Sequence, residues 1–288
     1  MDRSIWHKMQ SIDSRYIYAA LIVAILIPLF CSKLVYLNIP SKPSIDFYKT
    51  IENVANTEPS GLVIVDGQWS SSSRGENKWQ TQAIITHLMM RHIHFATLSF
   101  DTQNHTLTKE IVSALAAKYH YVYGVDYIDW GYRPPSAFQP VLKGIDTNIP
   151  GTLLHDSDGT PIASFPIMKG ITTVKDISAI IEISPTSSID TWLGLVQGVN
   201  NTPLLYAPTA ISAPKYYTYL DSGQLSGMLI GVKGAGDYES LIHQPSFGTR
   251  ATGALSFVYA LIILLVIVGN IGHLKLRAIA KSEGISRP

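Results

Sequence analysis

The polar residues best placed to do chemistry follow short apolar runs. The first run, GLVIV at 61–65, leads into Asp66, Gly67, Gln68 and Trp69, then the serines 70–73, then Arg74, Gly75 and Glu76. Serines just ahead of a helix leave free backbone N–H groups and the positive end of the helix dipole facing outward, which favours an anion. Arg74, and Lys233 with Gly234 after a later run, would add positive charge. The plainer reading is a polar loop that caps a helix, and it stands ahead because such capping is common. Other polar groups sit in equivalent places: Asp101; Asp126, Tyr127 and Asp129; Ser184, Thr186 and Ser187; and Thr209. In an open parallel sheet, ligands bind beyond the carboxyl ends of the strands. The expected ligand-contacting set is therefore Asp66, Ser70, Ser71, Arg74, Glu76, Asp126, Thr209 and Lys233.

No catalytic constellation is specified. The chain has no Gly-x-Ser-x-Gly, no Walker loop and no dinucleotide fingerprint, so hydrolase and nucleotide readings lack their usual support. An integrin-like metal site would need Asp-x-Ser-x-Ser after the first strand, and here the serines begin only at Ser70. Asp126 and Asp129 offer oxygen ligands, but two carboxylates in a Tyr-rich loop are thin support for a cation. His87, His92 and His94 lack thiolate partners or a helical His pair with a carboxylate, so zinc is not expected. His87 and Arg91, one helical turn apart, read as packing or surface residues. No catalytic residue, metal or cofactor is expected.

Charged residues make up 15% of the 288 residues and hydrophobic ones 46%. Soluble domains carry about 25% charge, so part of this chain lives away from water. Two segments account for it. Residues 16–36 (YIYAALIVAILIPLFCSKLVY) are apolar except near their end, and 252–274 (TGALSFVYALIILLVIVGNIGHL) hold no acid, Lys or Arg. Each is long enough for a bilayer that needs about 20 helical residues. Pro28 is tolerable where a neighbouring helix meets the freed carbonyl, and Lys33 can snorkel outward. The first segment is longer than a signal core and no small-x-small site follows it, so an uncleaved anchor is expected. Arg3, Lys8 and Arg15 flank one end, and Lys275, Arg277, Lys281 and Arg287 the other, which places both termini in the cytoplasm. Lys33, Lys42 and Lys49 lie on the opposing side. The resulting layout is a cytoplasmic tail (1–15), a first span (16–36), an outer domain (37–250), a second span (251–274) and a second tail (275–288), in the cell (inner) membrane. Gly253, Gly269 and Asn270 are the expected helix-packing residues of the second span: small residues admit a close neighbour and Asn270 offers a hydrogen bond. Packing of the chain's two spans on each other explains them equally well. The only cysteine, Cys31, excludes an internal disulfide. The absence of a basic block in the outer domain argues against a nucleic-acid partner.

The elements that must position the polar set alternate. Residues 44–56 read as a short amphipathic helix. Strand 61–65, helix 76–92, strand 94–100, helix 108–119 and strand 121–125 follow. The pattern resumes with strand 177–183, helix 188–199, strand 203–207, helix 214–220, strand 228–232 and helix 237–243. Between the two runs, 151–167 carries Asp158-Gly159 between apolar segments and reads as a hairpin insertion. Apolar strands alternating with helices predict an α/β fold: a mostly parallel, Rossmann-like sheet of about six strands covered by helices and flanked by two transmembrane helices. Two lobes with a cleft are the alternative to this single domain. The glycines in GQLSGMLIGVKGAG (223–236) read either as turns or as points of close backbone approach.

The stretches GENKWQTQAIITHLMMR (75–91), YGVDYIDWGYRP (123–134) and TAISAPKYYTYLDSGQLSGMLIGVKGAGDYE (209–239) resemble a family of two-span membrane proteins of bacteria and archaea. That family has an α/β domain outside the membrane and no characterised activity. The likeness covers most of the outer domain and the last span. It implies topology and fold only.

Three functions are ordered accordingly. First is a non-enzymatic, membrane-anchored scaffold or interaction subunit of a larger assembly, with the lipid bilayer and an integral-membrane protein, or a second copy, as partners. Next is an outer ligand-binding domain serving a transporter or receptor, its small-molecule ligand unspecified. An enzyme acting on cell-surface polymers comes last.

Overall fold

Strands buried on both faces are apolar along their whole length, and this property makes the sheet readable. In a computed structural model, residues 6, 10–30, 38–58, 61–194 and 202–282 are described. The strands are β1 (Leu62–Gly67), β2 (His94–Ser99), β3 (Tyr127–Tyr132), β4 (Ile177–Ser184), β5 (Leu204–Pro208) and β6 (Gly227–Met228). They form one sheet of 6 strands in the order β3-β2-β1-β4-β5-β6, and every pairing is parallel. Strand order reverses direction between β1 and β4, the topological switch point of a Rossmann-like sheet.

The described helices are α1 (Ser14–Phe30), α2 (Lys42–Thr57), α3 (Arg74–Met90), α4 (Thr102–Tyr119), α5 (Phe138–Thr147), α6 (Ile149–Leu153), α7 (Ile189–Trp192), α8 (Tyr217–Asp221), α9 (Gly231–Leu241) and α10 (Phe247–Ser282). One layer, α2, α3, α4 and α9, covers the face that carries Val63, Val65, Phe95, Ala179, Ile181 and Leu205. The other face carries Leu62, Ile64, Leu98, Trp130, Ile180 and Tyr206 under α5, α6 and α7. Alternate residues of one strand thus feed two cores. The chain divides into an α/β unit, Ile39–Thr249, and a unit made of its two ends.

Three expectations need correction. The third strand lies at Tyr127–Tyr132 and not at 121–125, because Gly124, at φ +76, turns the chain there. Asp126 therefore precedes its strand, at the amino edge of the sheet. The last strand is only Gly227–Met228: Gly231, at φ +58, turns the chain into α9, so 229–233 is not strand and Lys233 is helical. The hairpin in 151–167 reduces to one antiparallel bridge, His155 with Pro161, around a turn at Gly159.

Among the described residues one helix, Phe247–Lys281, is long and apolar enough to cross a membrane; its most apolar 18-residue stretch has mean hydropathy 2.6. The N-terminal helix α1 is apolar but 17 residues long. Residues 31–36 of the expected first span, residues 195–199 of the helix expected after β4, and residues 1–5, 7–9 and 283–288 of the expected tails lie outside the described residues.

Candidate functional site

The register sets the centre of the site. Asp66 at the end of β1 and Glu182 on β4 are Cα partners. Residues 62, 64 and 66 share a face of β1, as do 180 and 182 of β4, so both carboxylates rise on the α7 side of the sheet. Leu98 flanks Asp66 in the same row, and Tyr206 flanks Glu182. Both acids are 0% exposed.

Each acid is held through one oxygen. Asp66 Oδ2 accepts from Gln68 Nε2 at 2.7 Å and from Trp192 Nε1 at 2.8 Å. Glu182 Oε1 accepts from Ser188 Oγ in a short hydrogen bond. Asp66 Oδ1 and Glu182 Oε2 are buried and have no partner. Burial pushes the Asp66 carboxyl up to about 7, against the lowering pull of Trp192 and Gln68. Burial also raises Glu182 well above its usual range; the charge of Asp66 adds to this and the Ser188 bond opposes it. Two buried carboxylates side by side do not both ionise at little cost, so the pair favours keeping a proton.

The expected set separates into groups. Asp66 lies at the switch point. Glu76 and Thr209 gather at the carboxyl end of β5: Glu76 Oε2 accepts from Ala210 N at 2.8 Å, and Thr209 Oγ1 meets Ser212 Oγ at 2.7 Å. Ser71 and Arg74 line an open depression of about 420 Å³ with Thr102, Gln103, Thr106 and Leu107. Ser70 pairs with Ser72 beside it. The free amides expected for an anion there are largely engaged. Asp101 accepts from Gln103 N at 2.8 Å and Asn104 N at 2.9 Å, and Ser71 N donates to Gln103 Oε1 at 2.8 Å. Ser73 precedes α3 but makes no side-chain cap.

Asp126 and Lys233 do not join these groups. Asp126 Oδ2 closes a local turn by accepting from Val122 N at 2.7 Å. Lys233 pairs with the fully buried Asp237 on its own helix and donates to Ile39 O at 3.0 Å. Asp237 Oδ2 meanwhile accepts from Ser41 N at 2.9 Å and Ser44 Oγ at 3.2 Å, so this cluster ties α9 to the start of α2.

No family model matches the chain, and no curated protein or solved structure matches it.

Several polar side chains that matter were not in the expected set. Glu182 stands inside the run ISAIIEIS, and a lone acid in a fully buried strand was its signal. Gln80 is fully buried on α3 and donates to Pro208 O at 2.8 Å and Leu229 O at 2.7 Å, joining the ends of β5 and β6. His87, also buried, bridges Tyr238 Oη at 2.7 Å and Glu52 Oε1 at 2.8 Å. Burial lowers its pKa, against the raising effect of Glu52, as suits a packing residue rather than a ligand. Asp129 receives His105 Nε2 at 2.9 Å, Thr97 Oγ1 at 3.1 Å and Gly131 N at 2.9 Å. Burial raises the Asp129 carboxyl, but these bonds outweigh it and hold the group below its usual range. Among the described residues no group of three or more His, Cys, Asp or Glu could hold a metal.

Proposed function

We propose that this chain is a membrane-anchored, non-enzymatic subunit of a larger membrane assembly, with its α/β domain outside and both termini in the cytoplasm. The observation that carries the reading is α10. At a rise of about 1.5 Å per residue, the apolar part of such a helix covers a hydrocarbon core of about 30 Å. Its large apolar side chains are exposed, among them Tyr259 (61%), Ile263 (60%), Val266 (56%) and Leu274 (63%). A soluble helix would bury one such stripe. The second anchor is read from the apolar helix α1 together with residues 31–36, and the orientation from the basic residues flanking both segments.

Gly269 supports a partner helix. A Cβ built there meets nothing within 4 Å, so its face is open to close approach. Asn270 Nδ2 donates to Val266 O at 2.9 Å and is paired within its own helix. Gly269→Leu should leave membrane insertion intact and reduce the size of the complex in mild detergent. An unchanged complex would mean that this stripe faces lipid. The depression beside Ser71 and Arg74 favours, as a second reading, an outer ligand-binding domain. A small molecule retained in native mass spectrometry and lost in Arg74→Ala would support that reading.

A further inference from the structure

We propose that Asp66 and Glu182 form a proton-binding site at the switch point of the sheet, and that loss of its proton frees the segment 184–192 that covers the pair. The two acids sit on the inner, neighbouring strands β1 and β4, paired in register and fully buried, so neither backbone can withdraw from the other. Among the described residues neither has a basic partner. The charged and titratable groups around them add no compensating cation. From α7, Asp190 presents another carboxylate, with Oδ1 buried and unpartnered. Lys215 is engaged by Asp190 Oδ2 at 2.6 Å. Tyr206 from β5 donates to Ser184 O at 3.1 Å and Thr186 O at 2.7 Å, and Tyr216 packs edge-on against its ring.

The free oxygens name the ligand. With Oδ2 of Asp66 and Oε1 of Glu182 already accepting hydrogen bonds, one oxygen of each acid is left buried without a partner. A proton on one of these two oxygens gives that acid a neutral form and removes one of two adjacent charges. A divalent ion would require about six oxygen ligands, and no third acid or His joins the pair in a metal-binding group among the described residues.

The cover is the part that can respond. Two of its side chains, Ser188 and Trp192, donate to Glu182 and Asp66, while its helical core is the single turn Ile189–Trp192. Donor bonds strengthen when the acids ionise, but burial and mutual repulsion oppose a second charge more strongly. Lifting this segment admits the water that would solvate both charges. The Tyr206 bonds hold residues 184 and 186 at its base. Burial carries Asp66 to about 7 and raises Glu182 well above its usual range, so the change begins near neutrality and is completed above it. A carboxyl that binds its proton more tightly when folded than when unfolded favours the fold fully below its ordinary value. That contribution is lost as pH rises towards the folded value, here from about 4 to about 7.

The test uses the full chain in mild detergent. Hydrogen exchange of 184–192 and the melting temperature are measured at pH 5.5 and 8.5, with the intrinsic pH dependence of exchange corrected. Wild type should exchange on the order of tenfold faster in this segment at the higher pH, one pKa unit being a tenfold change in equilibrium, and should melt lower. Glu182→Gln keeps the acceptor for Ser188 and removes one of the two charges, so both differences should shrink while buried Asp66 still titrates; Asp66→Asn should likewise shrink them if the first variant does not fold. Equal protection of wild type at both pH values would overturn the proposal, as would an unchanged pH dependence in the foldable variant. Protection restored at pH 8.5 by magnesium or calcium in wild type alone would also overturn it, since the pair would then be a cation site.

Discussion

Glu239 gives a sharp test of how the α/β unit ends. The first turn of a helix carries backbone N–H groups with no helical partner. At the start of α10, Glu239 supplies the missing acceptors from α9. Its Oε2 accepts from Ser246 N at 2.8 Å, Thr249 N at 2.8 Å and Thr249 Oγ1 at 2.7 Å, and its Oε1 from Gly248 N at 3.0 Å. Glu239 is 2% exposed, and a stacked pair, Trp79 on Phe247 at 4.2 Å, lies in the same region. Glu239→Ala strands these donors in a site that water reaches poorly. Each buried unsatisfied donor costs about 1–3 kcal/mol, but the four share one acceptor group, so the total is about 3–5 kcal/mol rather than their sum. For a domain of about 200 residues, at about 2–4 °C per kcal/mol, this lowers the melting temperature by on the order of 10 °C. Glu239→Gln keeps the shape and one acceptor and should lose about half as much. The assay is thermal melting of the detergent-solubilised chain, with hydrogen exchange at 246–249 as a local readout. Melting of Glu239→Ala within about 2 °C of wild type, on the same scale, would refute the capping argument.

Two further substitutions probe how the covering helices are set. At Gly227→Ala, the added Cβ would run into the backbone of Phe47 on α2. Because backbone cannot step aside, a loss of about 2 kcal/mol or more is expected in chemical denaturation, and a silent variant would contradict so close an approach of α2 to β6. Lys233→Ala should lower the melting temperature rather than leave it unchanged, because buried Asp237 loses its cation while keeping the Ser41 and Ser44 bonds. Lys233 is 46% exposed, so about 1 kcal/mol is expected, and equal melting of variant and wild type would show that Asp237 needs no cation.

Much of this fold is legible in the sequence because burial on both faces writes strands as unbroken apolar runs. GLVIV, HFATLSF, ISAIIEI and PLLYA each fall within a residue or two of an observed strand. Strand β3, YIDWGY, hides because Asp129 and Gly131 make it look like a loop. The acid is tolerated there only through Thr97, His105 and the Gly131 amide, partners supplied by tertiary structure. The opposite error occurs at MLIGV, which has a strand's composition. Gln80, arriving from a distant helix, takes the Leu229 carbonyl, and Gly231 turns the chain into α9. Asp66 was visible as the residue ending the first apolar run. Its pairing with Glu182 was not, because it depends on β4 lying beside β1, and crossover topology rather than local pattern decides that. Lys233 and Arg74 looked like companions from their places after strands, until α9 replaced the expected strand.

We propose that α10 and the N-terminal apolar segment anchor an outer domain with both ends inside. Impermeant maleimide labelling of single cysteines, in a Cys31→Ser background, reads out this topology. Ser164→Cys, exposed on the α/β unit, should label in intact cells, whereas Ser4→Cys and Ser286→Cys should label only after permeabilisation. Labelling of either terminal position in intact cells, or protection of Ser164→Cys there, would rule this topology out.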